Sequence, residues 1–355
     1  MRVGVNPFKR DLGRGTAYEP KAITVGILTF TPFLTGYYAE KLEVLKICLQ
    51  SLQANTTVPF DLLVVDNGSC EEAVQYLQEL HQSGDIQYLL LSSENLGVYG
   101  GTERIFHTAP GQIIAYSQDD IFFHPNWLER SLEVLDTFPD VGFVTGCPVR
   151  HSYNTAYSNV ATKIPKKYAD ISTHTDHWQV EFDVLYAEST GEPPGEYIRR
   201  NRNKVVPLYE RDGIKAFPLG AHFQFLICKK VALQTLPFPY TGHAMGGTNN
   251  PQGMGFTDIF DAVLDGKGYA KYSTSEVCTE HMGNVLSVRV RELANRLKDS
   301  KKTLRKERID LTTWQHLIVL IFRLPLLRLI PSWVTRWMER ISYWKRLREI
   351  NKDRV

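Results

Sequence analysis

Cysteine is scarce in this 355-residue chain: Cys48, Cys70, Cys147, Cys228 and Cys278 lie far apart and never form a C-x-x-C pair. Such spacing excludes a disulfide-stapled scaffold and a cysteine zinc cage, and it suits a reducing compartment. Apolar runs of the ~18 to 20 residues that cross a bilayer are also missing. The nearest candidate, Leu311 to Phe322, stops at Arg323. The stretch from Met1 to Tyr18 carries Arg and Lys but lacks the apolar centre of a signal peptide, so export is not expected. Without that route the acceptor pattern Asn55-Thr56-Thr57 is expected to stay unmodified. Internal repeats and low-complexity segments are absent. No G-x-G-x-x-G follows a strand, which argues against a dinucleotide oxidoreductase.

What is present suits a large folded enzyme. Hydrophobic residues make up 43%, aromatic 11% and charged 23%, enough for a sizeable core and unlike a disordered or collagenous chain. The length fits two lobes, or one large α/β domain with an appendage. The net charge of +2 conceals a lopsided distribution. From Val288 onward there are 18 Lys and Arg against 7 Asp and Glu, whereas the first 287 residues carry 23 against 32.

Between Ile23 and Thr145 apolar, β-rich runs alternate with amphipathic stretches, the pattern of a parallel sheet with crossover helices. After a short opening strand at Val3 to Val5, strands are predicted at Ile23–Phe30, Asp61–Val65, Ile86–Leu91, Gln112–Tyr116 and Val141–Thr145, each apolar enough to be buried on both faces. Leu42, Leu45, Leu49 and Leu52 share one helical face, as do Val74, Leu77 and Leu80, and Ser69-Cys70-Glu71-Glu72 reads as a capping box for the second helix. Right-handed crossovers then make a Rossmann-like half whose ligand site lies beyond the carboxyl ends of the strands. Arg150 to Pro218 is polar, aromatic and weakly periodic, with a turn at Gly191-Glu192-Pro193-Pro194-Gly195, and is expected to be an insertion facing substrate. A further strand is predicted at Ala221–Leu226, a glycine-rich closing loop at Tyr240 to Phe256, and a helix at about Asp258 to Asp265.

The strand ends carry Thr29-Phe30-Thr31-Pro32, Val64-Val65-Asp66-Asn67-Gly68-Ser69, Asn95-Leu96-Gly97 and Ser117-Gln118-Asp119-Asp120, in that order. This ordered set resembles family 2 glycosyltransferases of the GT-A fold, over roughly Ala22 to Val149 and again from Gly220 to Asn284. The resemblance implies a three-layer α/β/α domain with a mostly parallel mixed sheet over residues 1–287. Its donor half covers about 22–149 and its acceptor half about 150–287, followed by a basic, amphipathic helical tail, 288–355. It also implies metal-dependent, inverting transfer of a sugar from a nucleotide-diphosphate donor to a hydroxyl of a glycan or lipid-linked acceptor.

Chemistry agrees with the resemblance at several residues. A departing diphosphate develops negative charge, which a Mn2+ or Mg2+ ion held by carboxylates neutralises while keeping most of its coordination sphere for phosphate and water. Asp120 matches the metal-binding third position of the family's D-x-D motif. The first position is Gln118, which offers a carbonyl oxygen to metal or ribose but no charge, and Asp119 adds a carboxylate between them. The resemblance assigns Thr29, Pro32, Asp66, Asn95, Gly97, Gln118 and Asp119 to the nucleotide-sugar. For Asp66 alone, a negative charge favoured before a helix N-terminus is the competing explanation. His281 stands where many members place a metal-binding histidine. Asp258, in Gly255-Phe256-Thr257-Asp258 before Gly268-Tyr269, matches the general base, with Asp261 one turn further on as the alternative; a bare helix N-cap is the plain explanation for Asp258.

Two other classes stay open. One is a nucleotide-sugar-binding or scaffold protein with a metal site impaired at Gln118. The other is a sugar-phosphate nucleotidylyltransferase, although its Gly-rich, Arg-bearing turn after the first strand is not seen at Thr29-Phe30-Thr31-Pro32. In the tail, Trp333, Trp337, Ile341 and Trp344 share a helical face among Arg336, Arg340, Lys345 and Arg346, while Pro325 and Pro331 break it into short pieces. Aromatic and basic amphipathicity of this kind suits an anionic membrane surface through 313–355, with the protein cytoplasmic and peripheral on the inner face; packing on the catalytic domain or on a second subunit is the alternative. No nucleic-acid module is recognisable.

Overall fold

The computed structural model describes residues 18–155, 159–238 and 256–306. The opening strand, most of the closing loop and the tail beyond Lys306 therefore lie outside the described residues. The chain divides into two units, Met1–Lys298 and Asp299–Val355, and the first holds every strand of the sheet.

In chain order the elements are β1 (Ile23–Thr29), α1 (Lys41–Asn55), β2 (Asp61–Asp66), α2 (Glu71–Gln82), β3 (Tyr88–Leu91), α3 (Gly97–Thr108), β4 (Ile113–Gln118), β5 (Ile121–Phe123), α4 (Trp127–Thr137) and β6 (Val141–Thr145). There follow α5 (Val160–Lys167), β7 (Ser172–His174), α6 (Val180–Thr190), α7 (Pro194–Asn201), β8 (Leu208–Arg211), β9 (Ile214–Phe217), β10 (Gln224–Cys228) and α8 (Lys229–Gln234). The last described elements are α9 (Phe256–Gly266), β11 (Ala270–Thr274), β12 (Thr279–His281) and α10 (Val288–Lys306). The five strands predicted between Ile23 and Thr145 are all present, Val141–Thr145 unchanged and the others with one or both ends shifted by one or two residues, and the strand predicted at Ala221 begins at Gln224.

Ten strands form one mixed sheet in the order β3-β2-β1-β4-β10-β6-β11-β9-β8-β7, and β5 pairs with β12 in a two-stranded ribbon. From β3 to β4 neighbours run parallel; β10 is antiparallel to both β4 and β6, and β11 is parallel to β6. Helices cover both faces. Leu63 and Val65, Ile114 and Tyr116, and Phe225 and Ile227 meet Phe106 of α3, Val231 of α8 and Phe260 of α9 in one core. Successive side chains alternate across a sheet, so the equally buried Leu62 and Val64 turn to the opposite face. On that side Asn55 donates to the Phe123 carbonyl and the Trp127 indole to Thr56, fastening α1 to β5 and α4.

One expectation is filled in and another corrected. Arg150 to Pro218, where no elements were predicted, holds α5, α6, α7 and the strands β7, β8 and β9, which extend the sheet antiparallel. It has its own core, in which Phe182, Val206, Leu208, Phe217 and Leu219 pack with Trp178. Its periodicity is weak because strands of three or four residues and the eight-residue α5 and α7 are too short to repeat a pattern, and α6 alone is longer, at 11 residues. The turn at Gly191–Gly195 does occur: Gly191 is the left-handed cap of α6, and Pro194 opens α7. The correction concerns Ser69. Cys70, not Ser69, caps α2, without a side-chain bond, and the Ser69 hydroxyl instead accepts from the Thr31 N–H at 2.9 Å.

The strand order places the site. The chain moves outward from β1 to β2 and β3, then crosses back to β4 on the other side of β1, so a crevice opens between β1 and β4 at their carboxyl ends. Leu28 and Gln118 are paired in register there, and Thr29 and Asp119 follow them.

Candidate active site at the strand ends

Asp119 and Asp120 form the turn from β4 into β5, and both are buried. Asp119 faces inward. One of its oxygens accepts from the Thr29 hydroxyl at 2.6 Å and the Phe30 N–H at 3.3 Å, the other from the Lys41 ammonium at 2.7 Å. Asp120 keeps one oxygen, Oδ2, 3.7 Å from Lys41 Nζ and 3.5 Å from His281 Nε2. Its Oδ1 is buried with no hydrogen-bond partner.

The charges on this cluster follow from the geometry. Burial alone would lower the Lys41 ammonium, but Asp119 and Asp120 outweigh it and hold its pKa above the ordinary lysine value. Burial alone would raise Asp120, yet Lys41 and His281 outweigh it and hold this carboxyl well below the usual range. Asp119 is pushed up, by burial first and by the neighbouring Asp120, against Lys41 and Thr29.

His281 reaches the turn because β12 pairs with β5, setting His281 opposite Ile121, and because the Met282 N–H donates to the Asp120 carbonyl at 2.7 Å. Its ring is held by Ser189 of α6, 2.9 Å from Nδ1, and rests against Phe223 with ring centroids 5.0 Å apart. Gly283 lets this contact form: it has φ +69°, and a Cβ there would lie 2.5 Å from the Ser189 carbonyl oxygen.

On the β2 side, Asp66 Oδ2 accepts from the N–H groups of Gly68 and Ser69, at 3.2 and 3.1 Å, while Oδ1 is buried without a partner. The turn amides thus occupy one oxygen, as the helix-terminus explanation requires, and leave the other. Asn67 donates to Asn95 and to the Gly97 carbonyl and accepts from the Leu96 N–H, latching the loop that starts α3. Asn95 in turn accepts from the Gly97 N–H at 2.8 Å, so Asn95 and Gly97 shape the crevice wall. The Thr31 hydroxyl is a third buried oxygen without a partner. Pro32, half-buried, continues the turn after β1. Gln118 ends β4 half-buried, its N–H donating to the Phe223 carbonyl at 2.8 Å.

Asp258 and Asp261 lie on α9 and differ sharply. Asp258 is half-buried in the first turn, close enough to Tyr99 of α3 that its carboxylate, after burial, helps raise that phenol. Asp261 is fully inside: one oxygen takes His222 Nε2 at 2.8 Å and the other the Lys271 ammonium. Both of its oxygens are therefore engaged within the protein.

Among the described residues no group of three or more His, Cys, Asp or Glu side chains could enclose a metal. The orphaned Oδ1 of Asp120 and the nearby His281 imidazole are a donor set that would suit a divalent cation held by two protein groups. Asp119, the carboxylate that could stand in for the missing charge at Gln118, has a donor on each of its oxygens.

Residues 35–187 match the glycosyl transferase family 2 model. This segment is a family 2 glycosyltransferase domain. Among curated proteins, an uncharacterized glycosyltransferase of Nostoc sp. is 22% identical over 125 residues, 35% of this chain and 39% of that protein. The glucosyl-dolichyl phosphate glucuronosyltransferase of Haloferax volcanii is 27% identical over 115 residues, 32% and 36% of the two chains. The chain thus spans less than two fifths of the length of these relatives. Among solved structures, a mannosyltransferase of Pyrobaculum calidifontis in complex with GDP-Man and Mn2+ aligns over 41% of this chain and 40% of its own, at 20% identity and a TM-score of 0.31. S. aureus TarS 1–349 in complex with UDP aligns over 38% and 40%, at 17% identity and a TM-score of 0.29.

Lys41 and Ser189 were not found by sequence reasoning. Lys41 had a signal: it falls four, seven and eleven positions before Leu45, Cys48 and Leu52, in phase with the buried face of α1. Ser189 had none, since its role depends on α6 meeting β12.

Proposed function

We propose that the family 2 domain transfers a sugar, with inversion, from a nucleoside-diphosphate donor to a hydroxyl of a glycan or lipid-linked acceptor, assisted by Mn2+ or Mg2+ at Asp120 and His281. One observation carries this: Thr31 Oγ1, Asp66 Oδ1 and Asp120 Oδ1 are buried, unpartnered oxygens at the ends of β1, β2 and β4. Buried polar atoms are normally satisfied, so three orphans beside one switch-point crevice call for a polar ligand. Asp66 and Thr31 suit the hydroxyls and ring N–H groups of a nucleoside. When bound, the cation supplies charge neutralisation to the leaving diphosphate. Ser189 holds the His281 ring, and Asp258 takes the acceptor proton.

The test is thermal stability with UDP, GDP, dTDP, CDP and their sugar conjugates, with and without Mn2+ or Mg2+. One nucleotide series is expected to stabilise the protein only with metal, by about 2.7 kcal/mol at a hundredfold excess over Kd, and Asp120→Asn is expected to remove the metal-dependent part. No shift with any nucleotide would favour a scaffold protein.

For the tail we propose attachment to an anionic membrane surface, supported by the tryptophan spacing and the excess of Lys and Arg. The full chain is expected to sediment with phosphatidylserine-containing vesicles, and the combined Trp333→Ala, Trp337→Ala and Trp344→Ala variant to remain in the supernatant. Equal sedimentation of the two would sink the attachment.

A further inference from the structure

A lysine ammonium inside a protein is rare and costly unless it is paired. Lys41 is 5% exposed and stands at the start of α1, between the two acids of the β4 turn. Its contacts are unequal: 2.7 Å to Asp119 Oδ1 and 3.7 Å to Asp120 Oδ2. With the Thr29 hydroxyl and the Phe30 N–H on its other oxygen, Asp119 has a donor on each oxygen. Asp120 is different, because Lys41 and His281 share one oxygen at longer range and the second has no partner. Gln118 brings no charge. Two carboxylates and one ammonium leave a single net negative charge for a divalent ion, and that ion would sit near a fixed positive charge.

We propose that Lys41 is a resident counter-ion that keeps Asp119 out of the metal's coordination sphere and competes with the metal for Asp120, so that the cation enters only together with the donor diphosphate. The inference rests on the cation-assisted transfer proposed above. Physically, the ammonium repels an incoming divalent ion at a few ångströms in a buried site, where screening is weak. A diphosphate arriving with the ion offsets that repulsion. The arrangement makes Lys41 a positioning residue: buried as it is, it acts through Asp119 and Asp120 rather than on the sugar.

Mn2+ binding to the full chain, read from the paramagnetic resonance signal of the free ion, tests this. In the wild type, binding without nucleotide is expected to be weak and to tighten at least ~10-fold when the nucleoside diphosphate of the donor is added. Lys41→Gln is expected to bind Mn2+ alone at least ~10-fold more tightly than the wild type, within the ~10- to 100-fold that groups behind the ligands command. Lys41→Arg, which keeps the charge, is expected to behave as the wild type. A merely structural ion pair would destabilise Lys41→Gln without tightening Mn2+ binding, and that result would overturn the proposal; so would tight, nucleotide-independent binding in the wild type. Should Lys41→Gln fail to fold, the side-chain nitrogen resonance of Lys41 in wild-type protein, assigned by its loss in Lys41→Arg, is expected to move on adding Mg2+ with the nucleotide. A resonance unmoved at saturation would overturn the proposal equally. Mn2+ binding that ignores Lys41 counts against this inference alone, whereas no Mn2+ binding in any variant with any nucleotide removes the cation-assisted transfer as well.

Discussion

Replacing Asp258 by Asn is expected to lower sugar transfer by at least ~100-fold while leaving metal-dependent stabilisation by the donor nearly intact, the usual scale for a lost general base. The carboxylate lies in the first turn of α9, half-buried, beside Tyr99. Tyr99 belongs to the first turn of α3, whose start is latched by Asn67 through Asn95 and Gly97. Proposed base and donor loop thus lie near each other at two helix N-termini. Asp261 is a poor rival, because His222 and Lys271 each engage one of its two oxygens. Initial rates with a labelled donor, measured beside nucleotide thermal shifts, check this. Near-normal transfer by the variant would require another base.

Asp261→Ala is expected to lower stability rather than chemistry directly. It would leave the Lys271 ammonium, 3% exposed, without its carboxylate. Breaking a buried pair by removing one partner costs about 3–5 kcal/mol, for a fall in Tm of roughly 5–10 °C in a domain of this size. The direction with pH follows from the carboxyl itself. Burial alone would raise Asp261, but His222 and Lys271 outweigh it and lower its pKa. A group depressed in the folded state contributes stability above its unfolded value, roughly 3.9 for Asp, and loses it as pH falls through the folded value. The wild type is therefore expected to lose stability below about pH 4 more steeply than Asp261→Asn, which has no carboxyl to titrate there. Parallel acid denaturation curves would show that the triad carries no such linkage. The same triad joins α9 to β11 and to the segment before β10, and so fixes the helix that presents Asp258.

The amino-acid sequence by itself determined the parallel half of the fold. Short runs such as Ile23–Thr29 and Asp61–Asp66, buried on both faces, alternate with helices whose apolar residues recur on one side, and local pattern suffices to specify both. It also placed Asp66, Asn95 and Asp120 at strand ends, because loops carry the polar groups that strands cannot. Short-range pattern did not extend to Arg150–Pro218, where the elements are too brief to show a period and are held by a small core of their own. The sequence ranked Asp258 ahead of Asp261 and Asp120 ahead of Asp119 by resemblance alone, since the physical difference within each pair is what the fold brings against each carboxylate. Lys41, from a helix 78 residues before Asp119, spends one acid and leaves its neighbour with an unpartnered oxygen. Lys271 and His222 do the same to Asp261. These decisions belong to tertiary structure, because the charge and free lone pairs of a buried carboxylate depend on partners distant in the chain.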